Sequence, residues 1–306
     1  MGIVTVTINP CIDRNTRVER VEPDRKLRCE RPTREPGGGG LNVSRAIRRL
    51  GGESLAVYPS GGPVGEILER SLDDEEVAQR PVPVEGWTRE NSNVYETSTD
   101  RQYRFLEPGP ELGEEEWRAC LEAIPGGEEA PGWVVGSGSL PPGVPDDFYV
   151  RLARRADSVG ARTIVDSSGE PLRRAAGEGV FLLKPNMREL GHAVGREIGG
   201  EDEQEEACRE LVEGGCGAVV LSLGAAGALL VTGERAERLR SPQVPIRSRI
   251  GAGDSMVAGI VLGLERGMEL RQAVLHGIAA GAAAVRTPGT ELCRRRDVER
   301  LFRVCR

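Results

Sequence analysis

Lysine is nearly absent from this 306-residue chain: of its 41 basic residues, only Lys26 and Lys184 are not arginine. Histidine is as scarce. His192 and His276 fall in helical patterns away from every motif described below, which removes support for a histidine triad or a zinc hydrolase. Seven cysteines, at positions 11, 29, 120, 208, 216, 293 and 305, are odd in number and contain no Cys-x-x-Cys pair. Neither a disulfide framework nor a zinc site is expected, and the thiols should be reduced and mostly buried. No apolar run approaches the roughly 20 residues that cross a bilayer, and no basic-then-apolar signal opens the chain. A cytoplasmic protein with no membrane partner is predicted. Aromatic residues make up only 4%, so Leu, Val, Ile and Ala must fill the core, which suits layered strands and helices. The formal charge of −7 disfavours nucleic acid and anionic lipid, so an anionic ligand must find a local basic patch.

The length is that of about two domains. Strand patterns at 2–9, 54–58, 133–136, 162–166, 180–183, 218–223 and 228–231 alternate with helical patterns at 41–50, 64–76, 114–123, 146–159, 188–194 and 203–213. This rhythm predicts an α/β class with a mainly parallel sheet and helices on both faces. Two stretches break it. Residues 26–34 and 92–106 read as strands with no helix between, the second turning at Thr99-Asp100, and predict a small sheet acting as a lid over a cleft. Residues 251–285 read as helical and apolar, with Gly277, Ala279, Ala280, Gly281 and Ala282 permitting close packing. There is no internal repeat and no low-complexity linker.

Two glycine-rich segments open helices. Gly251-Ala252-Gly253-Asp254-Ser255-Met256 precedes a helix read at 257–265, and its free N–H groups at the positive helix end form a cradle for phosphate. A carboxylate there would repel the anion unless it has a task. Asp254 either takes a proton from an attacking hydroxyl or merely caps the helix. Gly37-Gly38-Gly39-Gly40-Leu41-Asn42 offers close backbone approach to a ligand, with Asn42 as a polar contact, or a hinge between lid and core. Neither segment has the glycine spacing of a dinucleotide fold or a P-loop, so a nicotinamide oxidoreductase and a P-loop NTPase lose support.

Polar residues also gather at strand ends, where α/β sheets bind ligands. Asn9-Pro10-Cys11-Ile12-Asp13 closes the first strand, and Asp13 can hydrogen-bond sugar hydroxyls or form an Asx-turn. Lys184-Pro185-Asn186 ends another. Glu189 lies one turn beyond Asn186, which suits Mg²⁺ through water or a simple capping pair. Arg25, Lys26, Arg28, Arg89, Arg101 and Arg104 concentrate in the lid stretches. They form a dock for a substrate phosphate or protect sheet edges from aggregation. Ser139 and Ser222 lack a histidine partner.

The segments 37–42 and 251–256 together resemble the two signatures of the ribokinase-like PfkB carbohydrate kinases. KLRC at 26–29, EPGGGG at 35–40, WTR at 87–89, QYRF at 102–105, GSLPPG at 138–143, VDSSGE at 165–170, KPN at 184–186 and GTELC at 289–293 resemble that family's minor bacterial 6-phosphofructokinase branch. The resemblance implies a Rossmann-like, three-layer core at 1–9, 36–86 and 107–306, and a β lid at 10–35 and 87–106 that pairs with another subunit's lid in a homodimer. It implies transfer from MgATP to O1 of fructose 6-phosphate, with 1-phosphofructokinase or tagatose 6-phosphate kinase activity as alternatives and a non-catalytic sugar or nucleotide sensor as the competing class. Asp254 would be the base, and Gly251, Ala252 and Gly253 the anion hole. Asp13, Gly38, Gly39 and Asn42 would hold the sugar, with Lys26, Arg89, Arg104 and Ser139 near its phosphate. Lys184, Asn186, Ser222, Gly224 and Gly227 would bind ATP, and Asn186 and Glu189 would serve Mg²⁺ through water. A K⁺ site would draw on Ser248, Ile250, Ala284, Thr287 and Gly289, with Glu291 beside it. Arg249 departs there from the small hydroxyl residues usual in relatives.

Overall fold

Along the first strand, β1 (Ile3–Val6), Val4 and Val6 enter one apolar layer while Ile3 enters another. The same split recurs in a neighbouring strand: Val134 packs with the first layer, Trp133 and Val135 with the second. Successive strand side chains point to opposite faces, so a strand apolar on both faces must be covered twice. The computed structural model describes residues 2–177, 179–248, 250–287 and 291–305. The later strands are β2 (Cys11–Val18), β3 (Thr33–Gly37), β4 (Leu55–Ser60), β5 (Gln79–Pro83), β6 (Arg89–Glu96), β7 (Arg101–Phe105), β8 (Trp133–Ser137), β9 (Arg162–Asp166), β10 (Leu182–Leu183), β11 (Ala218–Ser222), β12 (Ala228–Thr232) and β13 (Ala236–Leu239). The helices are α1 (Gly39–Arg49), α2 (Gly62–Asp74), α3 (Glu114–Glu122), α4 (Phe148–Ser158), α5 (Gly169–Ala175), α6 (Met187–Val194), α7 (Glu201–Glu213), α8 (Ala252–Glu265), α9 (Leu270–Ala284) and α10 (Arg295–Cys305).

Nine strands form the large sheet in the order β13-β12-β11-β10-β9-β8-β1-β4-β5, parallel from β11 to β5 with β12 and β13 antiparallel at one edge. Trp117 of α3, Phe148 of α4, Leu172 of α5, Leu190 of α6 and Leu211 of α7 cover one face. On the other face, Ile47 of α1 packs with α8, α9 and α10. The three-layer, Rossmann-like expectation holds. Five of the seven cysteines are buried, all seven are free, and no helix among the described residues is long and apolar enough to cross a membrane.

A second sheet has the order β3-β2-β6-β7. It corrects two expectations. Residues 26–32 are not strand: β3 begins only at Thr33 and continues to Gly37, so Lys26 lies exposed in the connection from β2. Asp13 does not sit at the end of β1, which stops at Val6, but in β2 of the small sheet. Asn9-Pro10 breaks the extended run, because proline supplies no N–H for a continuing ladder. The hairpin at Thr99-Asp100 is as expected, joining β6 to β7. Three elements carry no pattern legible in the sequence. β5, with Pro81 and Pro83, is an edge strand, where proline is tolerated; β13 is short and polar, and α5 spans only seven residues.

Candidate active site

Helix α8 begins at Ala252, five residues earlier than its apolar pattern suggests, so Gly253 and Asp254 belong to its first turn. Gly251 precedes it with φ 72°, a left-handed conformation that glycine adopts without strain. The first-turn N–H groups have no intrahelical acceptors and carry the positive end of the helix dipole. Asp254 is partly buried among charges. The Asn42 amide donates to its Oδ2 at 2.9 Å. Burial, reinforced by the Asp166 carboxylate, pushes its pKa up to about 7 against the Asn42 hydrogen bond and the charges of Lys184 and Arg45. A carboxylate poised near neutrality suits general base work.

Lys184, 4% exposed, pairs with Asp166 at 3.2 Å. Burial alone would lower its pKa, but Asp166, Glu189 and Asp254 surround the ammonium and hold it raised. The ammonium also lies beside Gly253, where an added Cβ would stand 3.7 Å from Nζ. A cation therefore sits beside the first turn of α8. Asp166, at the end of β9, is the partner that residue patterns did not single out. Its place at a strand's carboxyl end was the available signal.

On the small sheet, register puts several polar residues on one face. Asp13 stands opposite Asn91 and Glu35, Asn15 opposite Asn93, Cys11 opposite Arg89, and Asn93 opposite Arg104. The Asn91 amide donates to Asp13 Oδ1 at 3.0 Å, and both residues are buried. Arg89 donates to the carbonyls of Asn9 and Glu107 at 3.0 and 2.5 Å. Arg104 Nε donates to Asn93 Oδ1 at 3.3 Å. Asp13, Arg89 and Arg104 are thus brought together, and the charges of both arginines reach Cys11, whose thiol burial and Asp13 push up.

The glycine loop meets this face at its root. Gly38 has φ 109°, and a Cβ there would stand 2.7 Å from Thr7 Cγ2. A side chain at Gly39 would collide with Ser137 Oγ, so the glycine segment packs against the turn that presents Gly138 and Ser139. Asn9 donates to Ser139 Oγ at 3.3 Å.

Asn186 and Glu189 form the reciprocal capping pair of α6. The Glu189 N–H donates to Asn186 Oδ1 at 3.0 Å, and the Asn186 N–H donates to Glu189 Oε2 at 2.8 Å. Burial raises the Glu189 carboxyl, countered by the Asn186 N–H and reinforced by Asp166. Asn186 bridges Ser222 across the sheet, and the turn through Gly224 to Gly227 closes when Leu223 N–H meets the Gly227 carbonyl at 2.8 Å. No group of three or more His, Cys, Asp or Glu among the described residues forms a metal cage. The oxygen donors at Asn186 and Glu189 fit Mg²⁺, a cation that retains waters and phosphate oxygens rather than demanding an all-protein cage.

At the C-terminal end of α9, the Thr287 hydroxyl lies between two carbonyls that its single hydrogen can reach, Ala284 at 2.7 Å and Glu291. Ser248 N–H reaches the Val285 carbonyl at 3.2 Å, and Ile250 N–H reaches Ser248 Oγ at 3.2 Å. Glu291 turns its carboxylate to Arg294 at 2.7 Å. Gly289 and Arg249 lie outside the described residues.

A doubly wound α/β sheet, a small polar sheet beside it and a near-neutral acid at a helix N-terminus define a small-molecule phosphotransferase of the carbohydrate kinase class. The pfkB family carbohydrate kinase signature matches residues 4–296, and the chain belongs to that family. It is 46% identical over 301 residues to the ATP-dependent 6-phosphofructokinase isozyme 2 of Mycobacterium tuberculosis, covering 98% of this chain and 88% of that one. The crystal structure of Escherichia coli phosphofructokinase-2 with potassium superposes with a TM-score of 0.95 at 42% identity, covering 99% of both chains. The same enzyme with fructose-6-phosphate gives 0.92 at 40% identity, again covering 99% of each.

Proposed function

We propose that this protein transfers the terminal phosphoryl group of ATP to O1 of fructose 6-phosphate, giving fructose 1,6-bisphosphate. The observation that carries this reading is Asp254, partly buried in the first turn of α8 and held by Asn42 from the first turn of α1. Its carboxylate accepts the O1 proton as the oxygen attacks. The amides from Gly251 to Gly253 and the Lys184 ammonium offset charge on the transferring group. Bound Mg²⁺ would neutralise the nucleotide phosphates, with Asn186 and Glu189 as its water-mediated contacts. Ser222, Gly224 and Gly227 form the turn beside Asn186 that suits the nucleotide. Gly38, Gly39, Asn42 and Asp13 supply close backbone approach and polar contacts for the sugar.

The acceptor is a phosphosugar because Arg89 and Arg104 share one sheet face with Asp13, with the Ser139 hydroxyl bonded to Asn9, whose carbonyl Arg89 holds; Lys26, exposed in the connection from β2, would add a further cation for the sugar phosphate. E. coli phosphofructokinase-2, similar along the whole chain, has been crystallised with fructose-6-phosphate. That enzyme's complex with potassium supports a K⁺ site built from carbonyls of Ser248, Ile250, Ala284, Thr287 and Gly289, with the Glu291 carboxylate held off by Arg294. Phe105 and Leu106, 57% and 60% exposed at the end of β7, support a homodimer joined through the small sheet.

A panel of phosphorylated sugars with MgATP, read by coupled ADP release, tests the assignment. Fructose 6-phosphate should give the highest kcat/KM. A higher value with fructose 1-phosphate or tagatose 6-phosphate would replace the substrate, and no ADP release with any sugar would leave a sensor. Arg104→Ala should raise KM for the phosphosugar about 10- to 100-fold, the range expected for one hydrogen bond to a charged group. ATP affinity should not change. Calorimetry on each ligand separately checks this, and a loss shared by both ligands would contradict it.

A further inference from the structure

Beneath β3 lies a buried cation that the reaction described above does not use. Arg45, on the second turn of α1, is 2% exposed. Its Nε meets the two Glu75 oxygens at 3.0 and 2.9 Å, and its Nη2 meets one of them at 2.6 Å, fixing the guanidinium plane. Nη1 points the other way, donating to the Pro36 carbonyl of β3 at 2.8 Å and to Asn42 Oδ1 at 3.1 Å. A carboxamide has one accepting end and one donating end. With its oxygen held by Arg45, Asn42 presents its NH₂ to Asp254 at 2.9 Å. In the flipped orientation the amide oxygen would face the carboxylate with no hydrogen between them.

We propose that Arg45 is a positioning residue for phosphoryl transfer: it orients the Asn42 carboxamide toward Asp254 and ties that orientation to strand β3 through the Pro36 carbonyl. The inference rests on Asp254 as the base. Ion pairing with Glu75 alone would need only Nε and Nη2; Nη1 joins α1 to β3 and, through Asn42, to the start of α8, 212 positions from Asn42 in sequence. The planar fork makes this possible, since a lysine ammonium cannot reach Glu75 and both neutral acceptors together.

The test uses the full-length enzyme with Arg45→Met, Arg45→Lys and Asn42→Ala, plus each Arg45 variant combined with Asn42→Ala. The Arg45 variants should lose kcat about 10-fold, the scale of one oriented hydrogen bond, with ATP affinity by calorimetry within twofold of wild type. Combined with Asn42→Ala, they should lose nothing further, because the residue they act through is already gone. A purely structural role would lower the thermal midpoint and leave kcat per folded site unchanged. If Arg45→Met does not fold, Arg45→Lys decides, because it keeps a charge against Glu75. Wild-type kcat in folded Arg45→Lys, or losses that multiply in the double variant, overturns the proposal. Asp254→Asn separates the two failures: if it abolishes turnover while the Arg45 variants remain normal, only the positioning role falls, whereas full activity in Asp254→Asn removes the base itself.

Discussion

Asp254→Asn should lower kcat by about 10²- to 10⁴-fold, the range for loss of a positioned general base. The change is nearly isosteric, and binding of ATP should survive, because the amides of α8 and Lys184 are untouched. Wild-type kcat depends on the deprotonated carboxyl, so the rate should fall as pH drops through about 7, the value to which burial and Asp166 push this group. The same shift predicts a stability effect of opposite sense. The folded protein retains a proton that the unfolded chain releases between about pH 4 and pH 7. This group therefore destabilises the fold increasingly as pH rises through that window. Asparagine does not titrate, so the variant should melt higher than wild type at pH 8, with the difference shrinking toward pH 5. Steady-state kinetics and thermal melts across that range check both effects. An unchanged kcat removes Asp254 from the chemistry, and a melting difference that grows toward acid contradicts the burial account.

Lys184→Met should be the most destabilising of the substitutions considered. It leaves the Asp166 carboxylate without its 3.2 Å partner and close to Glu189 and Asp254. Removing one member of a buried ion pair costs about 3–5 kcal/mol, because the remaining charge stays desolvated. In a protein of this size that corresponds to a fall in Tm on the order of 10 °C. Without the ammonium, the folded pKa of Asp166 lies further above its unfolded value. The loss should therefore be smallest in acid, where the carboxyl is protonated in both states, and should grow as pH rises. Lys184→Met combined with Asp166→Asn should recover part of the stability, since no charge is left buried alone. The pairing is refuted if the single variant melts like wild type, or if the double variant is worse than either single one.

Much of the architecture was legible because burial on two faces leaves a mark in one dimension. The apolar run at β1 and those at β8, β9 and β11 announced covered strands, and the helical patterns between them announced the covering layers. Elements without such a mark escaped: β5 carries two prolines, tolerated only because nothing pairs beyond it, and β13 is polar because it is an edge. The start of α8 was misplaced because Gly251 and Gly253 do not look helical, although a helix needs no apolar side chain in its first turn. The strand pattern read at 26–34 holds only from Thr33, for the complementary reason: alternating basic and apolar residues at 26–29 fit an exposed connection as well as a sheet.

The functional residues divide in the same way. Segments 37–42 and 251–256 declared themselves through local chemistry, with glycines that free the backbone and one acid beside an anion cradle. The relations among them did not. That Asn42 faces Asp254, that Asp166 neutralises Lys184 and that Arg45 holds Asn42 are contacts between residues up to 212 positions apart. Asp13, Arg89 and Arg104 share a face only through strand register. The amino-acid order by itself determined which layers form and which segments can carry charge to a phosphate, because hydrophobic period and glycine spacing are local properties. Tertiary structure alone decided which acid is buried, what neutralises it and which way each amide points, because desolvation and hydrogen bonding depend on neighbours that the chain brings together only when it folds.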